Sequence, residues 1–390
     1  MLPRSVSRSR LVASLAGIFA FLVPIVVDAQ CPGSVLTNGL NGPNKLIQTP
    51  SGNLLVAESG IQAPNTGRIS IVGLDGIRRT ILDGLPSGRN AEGKFIGTQA
   101  LFLTGRMLYV LTGEGDSTLS GPIIGTEVPN PVPSSPIASS VLAVQFTGSA
   151  ESIVNGFALT SSNQESLKNG QSLNFSNGGN DGLSIRLLAD LPDYVADPLP
   201  YYPQNVRPTV PSSMVGMGND LFIADSGRNA IFRIDVSTGR VSLLTNFPTI
   251  PNPTSIGPAN IDAVPSSIHE LDSDLLVTLM RGYPYLSGNS SVVRVNKKTG
   301  EISRYMDGWT TLVDVWTVKA KGWYNVFTLE YSLDLATDQP GRFQRFETAS
   351  FPAVPISTCL NRPSGFVRDE KSGAFYITES TTGKIIRINP

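Results

Sequence analysis

Residues 231–244 read IFRIDVSTGRVSLL and residues 292–305 read VVRVNKKTGEISRY, the same apolar alternation on either side of the same Thr-Gly turn. The first copy belongs to a longer stretch, 211–247, whose apolar runs at 214–217, 221–224, 230–235 and 241–245 are separated by Gly, Asn, Asp and Ser. Short runs of this kind bounded by turn residues are strands, and four in succession make an antiparallel unit. Such a unit cannot bury its faces alone. It needs neighbours of the same kind, and chains built this way are β-propellers.

Six copies can be read along the chain. Blade one begins at Asn44 and has strands within 46–48, 54–60, 67–72 and 78–88. Blade two has TQALFL (98–103), MLYVLTG (107–113), SVLAVQF (140–146) and LSIRLLADL (183–191). Two excursions interrupt it, a Pro/Ser/Gly-rich one at 114–139 and another at 147–182, in which a helical turn is expected near 152–157. A Pro/Tyr-rich connector, 193–210, leads into blade three, the stretch 211–247. Blade four has strands at 266–271, 274–280, 291–296 and 301–308, and blade five reads DVWTVKA, WYNVFTLE, GRFQRFE and VPIST. Blade six, 364–369, 374–380 and 384–389, stops after three strands. The segment SVLTNGL at 34–40 resembles the fourth strands VSLLTNF and TILDGL and belongs to no N-terminal blade. Pairing it with the last strand closes the ring and removes both exposed sheet edges. The expected fold is therefore all-β: a single six-bladed propeller over 30–390, its last blade completed from the N-terminus. A seventh blade within 147–210 is the alternative count.

Arg4, Arg8 and Arg10 precede an uncharged run from Leu11 to Val27 and a small-residue pattern ending at Ala29. That is the layout of a secretory signal peptide over 1–29, and it places the mature chain outside the cell. An uncleaved membrane anchor is the alternative, with an apolar run short of the ~20 residues that span a bilayer. Removing 1–29 moves the charged residues from 30 basic against 31 acidic to 27 against 30, a formal −3. A near-neutral surface of this kind argues against nucleic acid and against a polybasic membrane contact; the chain is read as a monomer. Only Cys31 and Cys359 are present. In an exported protein two cysteines pair, yet the strand register sets them at opposite ends of neighbouring outer strands, so both states stay open. Asn174 and Asn289 head N-glycosylation sequons.

The stretches ADL (189–191), LFIADSGRNAIFRID (221–235), AVPSSI (263–268) and the loop LMRGYPYLSG (279–288) before SVVRV resemble the ScyD/ScyE family, exported six-bladed propellers named for a cyanobacterial cluster that makes the sunscreen pigment scytonemin. The resemblance covers most of the mature chain and implies an exported propeller in or near natural-product chemistry. It brings no reaction and no catalytic residue. The connector after ADL, which reads PLPYYPQNV at 198–206, departs from the family's Asn-Pro and acidic pattern.

Several residues invite a chemical reading. Second strands end in an acid at Glu58, Asp225, Glu330 and Glu379, with Thr112 and Leu279 in the other two blades. Such acids either ring the channel as oxygen ligands for a hard cation or fasten the adjoining turns by accepting backbone N–H bonds. His269 is the only histidine, so a Ser/His/Asp triad or a histidine base would need it, and no matching nucleophile is marked. Zinc sites of His/Cys type are excluded by count, and no metal site is assigned. All three tryptophans fall within 309–323, close to Tyr283, Tyr285, Tyr324 and Tyr331, and either pack between blades or stack a flat ring. The loops between second and third strands share a face with the blade connectors. Arg228, Arg281, Tyr283 and Tyr285 fall there and are candidate contacts for a small aromatic or sugar-like ligand or a glycan, together with Asp314 and Trp316 at the channel. No sialidase-type repeat, phosphate-cradling glycine loop or nucleophile elbow occurs, and neither a cofactor nor a catalytic residue is specified. Three functions fit: a ligand-binding propeller, a lactonase or strictosidine-synthase-like hydrolase or lyase with Asp314 as base or metal ligand, and a structural cell-wall or matrix protein.

Overall fold

In the computed structural model, which describes residues 32–179 and 181–389, six mainly antiparallel sheets stand around an axis. Each contributes its first strand to the centre: Pro43–Gln48, Thr98–Thr104, Pro211–Met217, Pro265–Leu271, Leu312–Lys319 and Pro363–Arg368. These inner strands touch one another in cyclic order, the sixth returning to the first. Ser34–Thr37 pairs with Lys384–Ile388 and completes blade six. The closing strand is shorter than the expected 34–40, because the chain beyond Thr37 turns inward and Leu40 N donates to Gly383 O. Cys31 lies outside the described residues, as does the expected signal segment; Cys359, in the outer strand of blade five, is not a free thiol. No helix among the described residues is long and apolar enough to cross a membrane.

The apolar cores lie between blades. Second strands such as Leu54–Glu58 and Phe375–Glu379 are buried throughout, and one apolar cluster fills each of the six interfaces. Burying each sheet on both sides is what drives the ring together. Trp309 belongs to the interface of blades four and five, edge-to-face on Phe346 at 5.6 Å.

The repeat between blades three and four is explained by its turns. Asp235 Oδ1 accepts from Ser237 N and Thr238 N, and Asn296 Oδ1 accepts from Lys298 N and Thr299 N. Gly239 and Gly300 follow at φ 71° and 74°. A Cβ on either would lie 2.2 and 2.3 Å from the carbonyl oxygens of Leu188 and Leu244 in the neighbouring outer strands, so only glycine fits.

The described residues of 147–210 hold no seventh blade. Phe157–Ala158 adds a parallel strand to the outer edge of blade one, and Leu173–Ser176 adds an antiparallel one to blade two. Between them runs a helix, Ser161–Lys168, started by a capping box of Thr160 and Asn163. The helical turn expected at 152–157 is instead a short 3-10 turn at Ala150–Ser152. Gln164, fully buried, ties the helix to Gly84 O and Ser135 Oγ.

Each inner strand starts in the same way. Proline, which has no N–H to donate, opens four of them, and a bulge follows in all six. The next side chain often reaches the following blade: Asn44 to Thr98 O, Ser212 to Pro265 O, Ser266 to Leu312 O and Ser364 to Pro43 O. The second-strand acids then hold the incoming connector. Glu58 accepts from Asn41 N, Asp225 from Val210 N, Glu330 from Thr310 N and Glu379 from Asn361 N. They are four separate pins and do not form a cation ring; among the described residues no three His, Cys, Asp or Glu side chains come together as metal ligands. Glu330 is also paired with Arg342 and is fully buried. Its replacement in Glu330→Ala leaves an amide and a guanidinium without their acceptor, a loss of about 3 kcal/mol. Denaturant unfolding measures this against Glu347→Ala, an exposed control expected to change stability by less than about 0.5 kcal/mol.

Candidate functional site

Where the connectors and the loops between second and third strands gather, they border a half-open cavity of about 910 Å³. Its walls come from the connectors into blades two, three and four, from the 114–139 insertion and from the loop of blade four after Leu279. Two short ribbons shape it. Thr118–Ser120 pairs with Glu127–Pro129, and Tyr194–Ala196 with Val206–Pro208. Asn205 joins them, accepting from Glu127 N at 2.9 Å while its amide donates to Asp197 O.

Tyr283 and Tyr285 line this cavity as an edge-to-face pair, ring centroids 6.1 Å apart. Tyr283 rests on Gly257, where a Cβ would come within 2.7 Å of its ring, and remains 52% exposed at the mouth. The backbone here is costly. Val264, Arg281 and Tyr285 all adopt left-handed φ values of 51°, 64° and 59°, a conformation disfavoured for non-glycine residues and more so for a β-branched one. Bonds from Met280 N to Val264 O, Arg281 N to Ala263 O and Val264 N to Asn229 Oδ1 hold them there.

The cavity also contains a group that the sequence reading passed over. Glu114 is 3% exposed and lines the wall. Its Oε1 accepts from Asn90 at 2.8 Å, the one side-chain bond it makes among the described residues. Burial pushes its pKa up to about 8 against the pull of the Asn90 bond, and the charges of Glu127, Glu92 and Asp225 push the same way. Glu127 is raised as well, chiefly by burial, although Thr118 Oγ1 donates to it. Beneath the floor, Asp225 is raised to about 6 by burial, which outweighs the bonds from Val210 N and Arg228 N. Its Oδ2 is buried without a hydrogen-bond partner. The signal for Glu114 was present in the sequence: second strands elsewhere end AESG and ADSG, whereas blade two reads LTGEG, its acid two residues later. Thr112 occupies the pin position there and stitches its own loop, bonding Ile137 O and both polar backbone atoms of Ser140.

The other expected contacts lie elsewhere. Arg228 stacks on Phe232 at 4.7 Å, and Arg281 reaches Pro248 O; neither lines the cavity. The cationic contact is Arg207, whose Nη2 lies 2.9 Å from Asp262 Oδ1, while Lys94 pairs with Glu92 at the rim at 2.7 Å. Asp314 sits on the axis below, 3.0 Å from Lys45 Nζ, and also accepts from Ser267 Oγ and from the backbone of Val315 and Phe366. Lys45 crosses to it over Gly365, whose Cβ would lie 2.9 Å from Lys45 Cδ. Both of its carboxylate oxygens are thereby taken. Trp316 lies against His269, ring centroids 4.2 Å apart, and burial drives the imidazole down to about 4 in spite of Asp314, so that it stays neutral. Asn174 is exposed on the outer strand of blade two, and Asn289 is half-buried in the blade-four loop.

No known protein-family profile matches the chain, and no curated protein sequence does. Among solved structures it is similar to an auxiliary nutrient binding protein from Bacteroides thetaiotaomicron at 11% identity, covering 90% of this chain and 69% of that one with a TM-score of 0.49. A protein of the same organism provisionally described as a phosphatase gives 10%, 90%, 72% and 0.47. One from Thermus thermophilus, provisionally described as an oxidoreductase (glucose dehydrogenase), gives 13%, 91%, 98% and 0.45. Likenesses of this depth bear on neither ligand nor reaction.

The raised carboxyls set a pH dependence. Each binds its proton more tightly in the folded chain than in the unfolded one, so its contribution to stability is full below the ordinary carboxylate range and is lost as pH rises through the folded value. For Glu114 that loss extends to about pH 8. Thermal unfolding followed from about pH 5 to about pH 8.5 is expected to show falling stability in the native chain and a flatter profile in Glu114→Gln, which keeps the shape without the titration.

Proposed function

We propose that this protein is an exported, ligand-binding propeller of the ScyD/ScyE type, which takes a small aromatic or sugar-like molecule into the cavity of its loop face. The observation that carries the reading is the cavity itself: a half-open hollow of about 910 Å³ with a tyrosine pair in its lining and a buried carboxyl in its wall. Binding sites combine an apolar, concave wall with a few polar groups that fix orientation, and Ile96, Val264 and Met280 supply that wall here. Backbone held in left-handed conformations at the cavity residues Val264 and Tyr285 fits the same purpose, because such strain persists where surrounding contacts hold it for function. The PLPYYPQNV connector contributes Asn205 and Val206 to the cavity, so the ligand meets this chain's own version of the family's connector.

A second reading has Glu114 behind it. A carboxyl that keeps its proton at neutral pH suits a general acid, and an acid-base hydrolase or lyase of natural-product metabolism would use it in place of Asp314.

Calorimetric titration with phenolic, indolic and glycan panels tests the first reading. Tyr283→Ala is expected to weaken the bound class by about tenfold, the scale of one aromatic contact, while Arg281→Ala leaves it unchanged. An absence of binding across the panels, or an equal loss in Arg281→Ala, contradicts it. Turnover of a bound compound that stops in Glu114→Gln supports the second.

A further inference from the structure

We propose that the cavity selects an organic cation, a primary or secondary ammonium carried on a small aromatic body. The inference rests on the cavity being a ligand site and narrows what enters it.

The charges around the cavity do not balance. Glu92, Glu114, Glu127, Asp197 and Asp262 line it against Lys94 and Arg207. Both cations are already committed, Lys94 to Glu92 and Arg207 to Asp262 and to Gly227 O. Glu114, Glu127 and Asp197 have no salt-bridge partner among the described residues. An anionic ligand would therefore meet carboxyls and no available cation, whereas a cationic one would meet acceptors that lack a cationic partner.

The distribution of the acids decides what kind of cation fits. They are spread around a wide cavity, and no three of them converge as metal ligands do. A point charge at any one place would satisfy one carboxyl and leave the others. A polyatomic cation has an N–H to give to Glu114, whose Oε1 is taken by Asn90 and whose Oε2 has no partner among the described residues although the residue is only 3% exposed. Its body then lies along Ile96, Met280 and the faces of Tyr283 and Tyr285. The two tyrosines at the mouth add a second attraction, since an ammonium over an aromatic face is drawn to the ring quadrupole.

Proton balance follows from the groups that face Glu114. Asn90 and Glu92 approach from the connector into blade two, Glu127 from the ribbon, and Asp225 from blade three, while Lys94 is held by Glu92. At neutral pH Glu114 holds its proton in the empty cavity. An ammonium beside it stabilises the carboxylate, so the proton leaves to the solvent as the cation binds.

The probes are tyramine and phenethylamine, each against its neutral isostere, tyrosol and phenethyl alcohol, titrated into the intact protein. Each amine is expected to bind about tenfold or more tighter than its alcohol at pH 7, the scale of a charge-assisted hydrogen bond. The amine enthalpies are expected to differ between phosphate and Tris buffers, because the released proton is taken up by the buffer. Glu114→Gln is expected to remove both the preference and the buffer dependence while alcohol binding persists, and persistent alcohol binding shows that the variant is folded. Glu127→Gln, which leaves Glu114 in place, is expected to reduce the preference only in part. Amines and alcohols binding equally would overturn the cation assignment and leave the ligand site standing. If neither binds while the wider panels do, the cation assignment falls; if nothing binds at all, both fall. An amine preference that survives unchanged in both variants would also overturn it.

Discussion

The structure depends on how each inner strand is started. In all six blades the residue after the second strand donates its N–H to the connector residue that precedes the inner strand, as in Gly113 to Gly97, Ser226 to Val210 and Met280 to Val264. In four blades a buried carboxylate adds a bond to the connector's own N–H. Placing such a charge in the interior is costly, and burial raises the pKa of Glu58, Asp225 and Glu330 accordingly. The return is position. Connectors on a propeller run over the surface with little packing of their own, and here they are fixed to the most buried strands of the molecule.

The two blades without the carboxylate contribute to the cavity from either side of blade three. Blade two replaces it with Thr112, keeps its acid two residues later as Glu114, and sends out the 114–139 insertion. Blade four replaces it with Leu279 and sends out the loop bearing Tyr283 and Tyr285. Blade three stands between them with its pin intact, and Val210, which Asp225 holds, forms part of the wall. A device repeated around the ring thus gives way in two of the three blades that wall the cavity and is kept in the one between them.

Local features made most of the fold legible in sequence. The Asp/Asn-x-x-Thr-Gly turns announce themselves because the side chain caps its own backbone and the glycine must approach a neighbouring strand. The closing strand followed from counting strands in blade six. The helix at Ser161–Lys168 escaped because its short polar sequence carries no apolar period; its place is set by Gln164 and Leu167 against parts of blade one and the 114–139 insertion distant in sequence. Site residues divide along the same line. Tyr283 and Tyr285, placed on the loop face by their position between strands, line the cavity. Arg228 and Arg281 share that face but turn to Phe232 and Pro248, a choice made by contacts that sequence spacing does not reveal. The Pro-Ser-Ser starts of the inner strands at 211–213 and 265–267 were visible, but their bonds run from blade to blade and have meaning only once the ring is closed.

The claim that a buried carboxylate fixes the connector that walls the cavity is open to amide hydrogen exchange across 206–212, comparing the native chain with Asp225→Leu, the residue type blade four carries at this place. The native segment is expected to exchange slowly for a surface connector, with Val210 slowest, and the variant to exchange faster there while the outer strands of blade three keep their protection. Equal exchange in the two proteins would contradict it.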